Sequence, residues 1–226
     1  MGVLHKRIAS IAWPKHIGIV DSLNGHAKYM SWLKDHCRDV PQVKTRFELY
    51  DYLERNYIKS APIDYLEFGV YRGESFEKWL AVNNNAESRF FGFDSFEGLP
   101  EAWNPRFKKG AFDVDGAVPQ IDDRRGLFVK GWFQHSLPGF LDSFAPRGRL
   151  VLHNDSDLYS STIYVLSQMD HLIAPGTLLI FDEFASPLHE FRAFNDYCSA
   201  FMRDARPIVM TNGHRWIGEQ MAFEFL

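Results

Sequence analysis

An α/β fold on a doubly wound, mostly parallel sheet is predicted by three observations. From Ile63 onward, short apolar runs alternate with amphipathic segments. The first run, 63–68, passes straight into a glycine turn and then a helix-like stretch. The last two runs are joined by a short link holding Asn212-Gly213. Alternation of this kind builds parallel neighbours through helical crossovers, and a short turn-bearing link returns the final strand antiparallel. The expected strands are 63–68, 89–94, 127–130, 149–153, 176–181, 206–211 and 220–225, with helices over 73–82, 133–144, 159–171 and 188–203. Ahead of them, Leu23, Ala27, Met30 and Leu33, then Phe47, Tyr50, Leu53 and Tyr57, recur at three- and four-residue steps. That spacing reads as two helices separated by Pro41. The chain is thus expected to divide into a helical N-terminal cap over 1–60 and a seven-stranded domain over 61–226.

Composition excludes several classes. The 226 residues are 46% hydrophobic and 24% charged, enough for a full core in one α/β domain. A net charge of −4 with no basic stripe argues against nucleic acid as a partner. Pro14, Lys15 and His16 interrupt the stretch from Met1 to Ile19, which reads as neither a signal peptide nor a membrane span. The two cysteines, Cys37 and Cys198, have neither metal spacing nor a disulfide framework, which fits a reducing cytoplasm. The cap is read as packing on the sheet, as a lid, or as a surface for a homo-oligomer. The 20 phenylalanines read as a phenylalanine-rich core or as the walls of an aromatic pocket, with the core expected to take most of them.

The run Tyr65-Leu66-Glu67-Phe68-Gly69-Val70-Tyr71-Arg72-Gly73-Glu74-Ser75 is a strand, a tight turn and a helix start. This order builds a nucleotide pocket at the carboxyl edge of a sheet. The spacing, Glu67-x-Gly69-x-x-x-Gly73, is not that of a pyrophosphate binder, and Glu67 places negative charge where a pyrophosphate wants none. A nucleoside with a cationic or neutral tail, such as S-adenosylmethionine, fits better. Phe90-Phe91-Gly92-Phe93-Asp94 then ends the next strand in an acid, 27 residues after Glu67, placed to accept ribose hydroxyls.

A second constellation carries the chemistry. An apolar strand runs into His153-Asn154-Asp155-Ser156-Asp157 and then a helix, and the following strand ends in Asp182-Glu183. Near-adjacent strand ends bring Asp155, Asp182 and Glu183 together. Their mutual repulsion asks for a cation, and an oxygen-only set suits Mg²⁺ or Ca²⁺. Asp157 is then a candidate base, with His153 its rival. Each has a plainer reading: Asp155 or Asp157 as a helix cap, His153 as a hydrogen-bonded strand residue, and Glu183 as a surface partner of Arg192. The connection 95–126 carries Trp103, Phe107 and Phe112, which either wall a substrate or tack the loop down; a connection this long is usually functional or mobile.

Four phrases together are similar to the macrocin-type O-methyltransferases, which methylate sugar hydroxyls of macrolide and aminocoumarin natural products. They are Leu66-Glu67-Phe68-Gly69-Val70-Tyr71-Arg72-Gly73, then Gly92-Phe93-Asp94-Ser95-Phe96-Glu97-Gly98-Leu99-Pro100, then Val129-Lys130-Gly131-Trp132-Phe133 with Leu137-Pro138. The last is Asp155-Ser156-Asp157-Leu158-Tyr159-Ser160-Ser161-Thr162 followed by Asp182-Glu183. The likeness covers roughly 64–184. It implies a Rossmann-like class I methyltransferase fold and S-adenosylmethionine held by Glu67, Gly69, Tyr71, Gly73, Ser75, Asp94, Ser95, Phe96 and Asp155. It also implies Mg²⁺ on Asp155, Asp182 and Glu183, with Asp157 as base toward a small-molecule hydroxyl acceptor. Two departures fall on the metal site: Glu183 stands where the family usually has Asp, and His153-Asn154 replace a basic-apolar pair. Two other readings are a metal-independent methyltransferase using His153 or Asp157 alone, and a non-catalytic protein that binds S-adenosylmethionine.

Overall fold

The structure is a computed structural model that describes residues 14–212 and 218–226. Residues 1–13 and Gly213 of the expected turn lie outside the described residues. Helix α1 (Pro14–His36) leads into a two-residue strand β1 (Gln42–Val43) and helix α2 (Arg46–Leu53). Thr45 caps α2 by accepting from the Glu48 N–H at 3.2 Å, while the Glu48 carboxylate takes the Lys44 N–H at 2.8 Å. This reciprocal pairing satisfies donors the helix start leaves free. A π turn over Glu54–Ile58 then ends on Lys59 in the left-handed region.

The alternating part follows as β2 (Ile63–Phe68), α3 (Glu74–Val82), β3 (Arg89–Asp94), β4 (Gly126–Lys130), α4 (Phe133–Leu141) and β5 (Arg149–Asn154). It continues with α5 (Tyr159–Met169), β6 (Leu178–Phe181), α6 (Glu190–Phe201), β7 (Ala205–Thr211) and β8 (Met221–Phe225). The strand order is β1-β7-β8-β6-β5-β2-β3-β4, parallel throughout except β8, which runs antiparallel to both neighbours. The sheet therefore has eight strands where seven were expected. The extra one comes from inside the predicted cap: Gln42 and Val43 pair with Met210 and Thr211 at the edge. Two residues give no readable alternation, so the sequence carries no signal for it. Among the described residues no helix is long and apolar enough to cross a membrane.

The two faces of the sheet are covered differently. Leu66, Phe68, Phe93, Leu152 and Phe181 face α4, α5 and α6, with Tyr29 of α1 joining that core. Tyr65, Val151 and Ile180 face the other way, onto Tyr50 and Leu53 of α2 and Phe76 and Trp79 of α3. The alternation inside each strand sets these faces. Register then decides what emerges at the carboxyl edge. Phe68 pairs with Phe93 and with Asn154, and Asn154 pairs with Phe181. The next residues, Gly69, Asp94, Asp155 and Asp182, therefore leave the sheet in one row. The ladder continues into that row: Gly69 N–H donates to Phe93, Asp155 to Phe68, and Asp182 to Asn154, at 2.9, 2.9 and 3.2 Å.

At the opposite edge Asp64, 1% exposed, ties three segments together. It accepts from Arg89 Nε at 2.6 Å and from the N–H groups of Arg147 and Gly148 at 2.5 and 2.8 Å. Asp64→Ala would remove the shared acceptor of three part-buried donors, costing about 3 kcal/mol. Urea unfolding should show this loss with the unfolding slope unchanged; a change below about 1 kcal/mol would show the cluster to be dispensable.

Candidate functional site

A cavity of about 800 Å³ opens over the row at the carboxyl edge of the sheet. Its floor includes Gly69, Asp94, Asp155 and Asp182. Gly69 has φ +99°, and a Cβ there would lie 1.8 Å from the Asp155 carbonyl oxygen. Only glycine meets both conditions, so the turn after β2 is pressed directly onto the loop after β5. Gly73, at φ +84°, is the N-cap of α3 and lies off the cavity wall. Tyr71, also at positive φ, lines the cavity.

Asp94 fixes this turn. Its Oδ2 accepts the N–H groups of Val70 and Tyr71, each at 2.8 Å, and its Oδ1 accepts that of Phe96 at 2.7 Å. The carboxylate thus clamps the glycine turn while still facing the cavity. Ser95 lines the cavity too, whereas Phe96 is buried against Phe128 and contributes its backbone to the clamp. Glu67 and Ser75 do not line the cavity. Glu67 faces α3, whose Ser75 Oγ donates to Glu67 Oε1 at 2.7 Å, while Tyr65 of β2 donates to Oε2. Strand parity explains this: Phe68 turns to one face, so Glu67 turns to the other, beneath the turn.

The acids gather at the other end of the floor. Asp155, Asp157, Asp182 and Glu183 all line the cavity. Asp157 sits at φ +61°, in the left-handed region that aspartate enters more readily than most side chains. Burial, with Asp182 and Asp94 nearby, raises its carboxyl to about 7. Burial and the neighbouring Asp182 and Asp157 raise Glu183 to about 9 and push Asp155 well above the carboxylate range. Among the described residues, Arg46 at the start of α2 is the cation paired with this group, 3.7 Å from Asp182 and 2.6 Å from Glu74. Arg46 was not anticipated, because its contact joins segments 136 residues apart and leaves no local trace. Behind the acids, buried Glu190 accepts from Asn154 Nδ2 and from the Glu183 N–H, both at 2.9 Å, locking the β6 exit to β5.

His153 lies off the cavity wall. It is fully buried between Tyr50 and Tyr65, and its Nδ1 is 2.6 Å from the Tyr65 hydroxyl. Even so, it offers a ligand atom within 4.8 Å of those of Asp155 and Asp182. Its Nε2 and the Asp182 Oδ1 are buried without a hydrogen-bond partner among the described residues. The donors closest together are therefore His153, Asp155 and Asp182, with Glu183 at the rim.

The connection between β3 and β4 roofs the cavity. Trp103 stacks on Phe107, and Phe107 on Phe112, with centroids 5.4 and 5.1 Å apart, and all three line the cavity. Ser160 of α5 donates to Glu101 at 2.5 Å, tethering this roof. Gly131, Trp132 and Phe133, following β4, form a further wall beside Asp94.

Residues 44–208 match the macrocin O-methyltransferase (TylF) family. A curated relative from Streptomyces olivaceus, 8-demethyl-8-(2,3-dimethoxy-alpha-L-rhamnosyl)-tetracenomycin-C 4'-O-methyltransferase, is 33% identical over 157 residues. That alignment takes in 58% of this chain, and the chain spans 58% of the relative's length. Among solved structures, the O-methyltransferase NovP superposes with a TM-score of 0.60 at 22% identity, covering 79% of this chain and 78% of its own. The calicheamicin methyltransferase CalS11 superposes at 0.61 and 18%, covering 90% and 92%. Both share the fold, an open mostly parallel sheet with an antiparallel C-terminal strand.

The contact between Gly69 and Asp155 is open to direct test. Gly69→Ala should cost about 3 kcal/mol in strain and clash, lowering Tm by roughly 6–12 °C for a chain of this size. Gly139→Ala, inside α4 where a Cβ meets nothing within 4 Å, is the control and should leave Tm unchanged or slightly raised. Equal melting of the two variants would show that the turn tolerates displacement.

Proposed function

The chain belongs to the macrocin O-methyltransferase family, and on that premise we propose that it methylates a hydroxyl of a sugar-bearing small molecule, with S-adenosylmethionine as donor. One observation carries the reading: a single cavity is lined at once by the glycine turn with its Asp94 clamp and by the acid group. S-adenosylmethionine supplies an electrophilic methyl group on a sulfonium. The backbone at Gly69 and Tyr71 allows close approach of the donor's amino-acid end. Asp94, whose oxygens keep lone pairs beyond their three N–H contacts, accepts the ribose hydroxyls. Trp132 and Phe133 offer a flat apolar wall for the base.

Asp157 is the base. It faces the cavity with a carboxyl raised to about 7, so near neutral pH it can take the proton that the acceptor hydroxyl loses as its oxygen attacks. His153, walled off from the cavity, is not placed to do so. The aromatic roof, Trp103, Phe107 and Phe112, suits the apolar face of a sugar or its aglycone and excludes water when the reactants are held together. A deoxyhexose such as rhamnose is the acceptor favoured by the name of the 33% identical relative.

The residues present also fit a divalent cation. Among the described residues, two buried ligand atoms, His153 Nε2 and Asp182 Oδ1, lack hydrogen-bond partners, and the acids outnumber the arginines that line the cavity. Asp155 and Asp182, with Glu183 at the rim, would hold the ion, which would supply Lewis acidity toward the acceptor oxygen.

Asp157→Asn should lower kcat by about 10²–10⁴-fold on a rhamnosyl glycoside, while calorimetry shows S-adenosylhomocysteine binding unchanged. Full turnover by that variant would remove Asp157 from the chemistry. Methylation of the aglycone at the same rate as its glycoside would remove the sugar.

A further inference from the structure

We propose that His153 is a nitrogen ligand of the cation site, so that the site selects a transition-metal divalent ion of the Mn²⁺, Fe²⁺, Co²⁺ and Zn²⁺ class over Mg²⁺. The proposal rests on the cation reading above and adds the identity of one donor. It begins with counting hydrogens. The Tyr65 phenol has one proton and donates it to Glu67 Oε2. Its oxygen therefore accepts from His153, 2.6 Å away, and Nδ1 carries the imidazole hydrogen. In the neutral ring Nε2 is then a bare lone pair. That atom is buried, has no hydrogen-bond partner among the described residues, and belongs to a residue offering a ligand atom within 4.8 Å of Asp155 and Asp182. Asp182 Oδ1 is orphaned in the same way. Unpaired lone pairs in a water-poor place are costly, and a cation held between these two residues, whose ligand atoms lie within 4.8 Å of each other, would relieve that cost.

The relay behind His153 has the form found behind metal-bound imidazoles, where the distal ring N–H is held by a carboxylate directly or through another group. Here the chain is Glu67, Tyr65, His153, with Ser75 Oγ holding the other Glu67 oxygen at 2.7 Å. Register builds it: Glu67 of β2 and His153 of β5 are paired neighbours with the same parity, facing α2 and α3. The relay gives Glu67 and Ser75 a task that their absence from the cavity wall leaves unexplained. One imidazole and two carboxylates form a mixed nitrogen–oxygen set, which suits transition metals, whereas Mg²⁺ prefers oxygen alone.

The test uses Mn²⁺ alone with the full chain. Electron spin echo envelope modulation of the Mn²⁺-loaded protein should show coupling to one directly bound imidazole ¹⁴N. His153→Gln should abolish that coupling, and Tyr65→Phe, which keeps the ligands and cuts the relay, should weaken Mn²⁺ binding by about 10–100-fold. A tenfold excess of Mg²⁺ should not displace the ion. Bound Mn²⁺ without ¹⁴N coupling would overturn this inference and leave a carboxylate cation site standing. An aqueous Mn²⁺ spectrum, with no binding at all, would overturn both.

Discussion

The site depends on the contact between the turn after β2 and the loop after β5, where the Cα of Gly69 rests against the Asp155 carbonyl. No side chain fits between them, since a Cβ would lie 1.8 Å from that oxygen. The contact follows from parallel register: Phe68 and Asn154 are paired, so the residues after them leave the sheet side by side. Asp94, one strand further on, pins the same turn through two backbone N–H groups. Three strand ends are thereby fixed to one another before any ligand arrives. Such preorganisation avoids paying for ordering at the moment of binding.

Charge is the second constraint. Among the described residues, six acids line the cavity against two arginines, and burial with mutual repulsion lifts Asp157 to about 7 and Glu183 to about 9. His153 and Asp157 part because the strand ends between them, at Asn154. Asp157 is carried into the cavity by a left-handed turn, whereas His153 points beneath the sheet edge with Glu67 and Tyr65. The same small stretch of chain thus presents a cavity-lining carboxyl group at one point and a buried imidazole at another.

Much of this was legible in the residues. The strands at 63–68 and 89–94 fall where apolar runs meet a turn, and the row Gly69, Asp94, Asp155 and Asp182 follows from reading each strand to its end. What the residues could not reveal is which neighbours register brings together. Glu67 looked like a cavity acid because it stands before the glycine, yet pairing across β2 and β5 sends it to His153. Arg46 reaches Asp182 from a helix far off in sequence, and β1 adds an eighth strand from two residues too few to show a period. Local pattern sets elements and faces; long-range pairing sets partners.

In the proposed function the donor pocket and a cation site share one rim of the sheet. Anomalous diffraction from crystals grown with Mn²⁺ and S-adenosylhomocysteine tests it most directly. The predicted result is one strong Mn²⁺ peak bound by Asp155 and Asp182, with the thioether sulfur in the same cavity and the ribose on Asp94. A nucleoside lodged elsewhere, or no peak between those two aspartates, would contradict it.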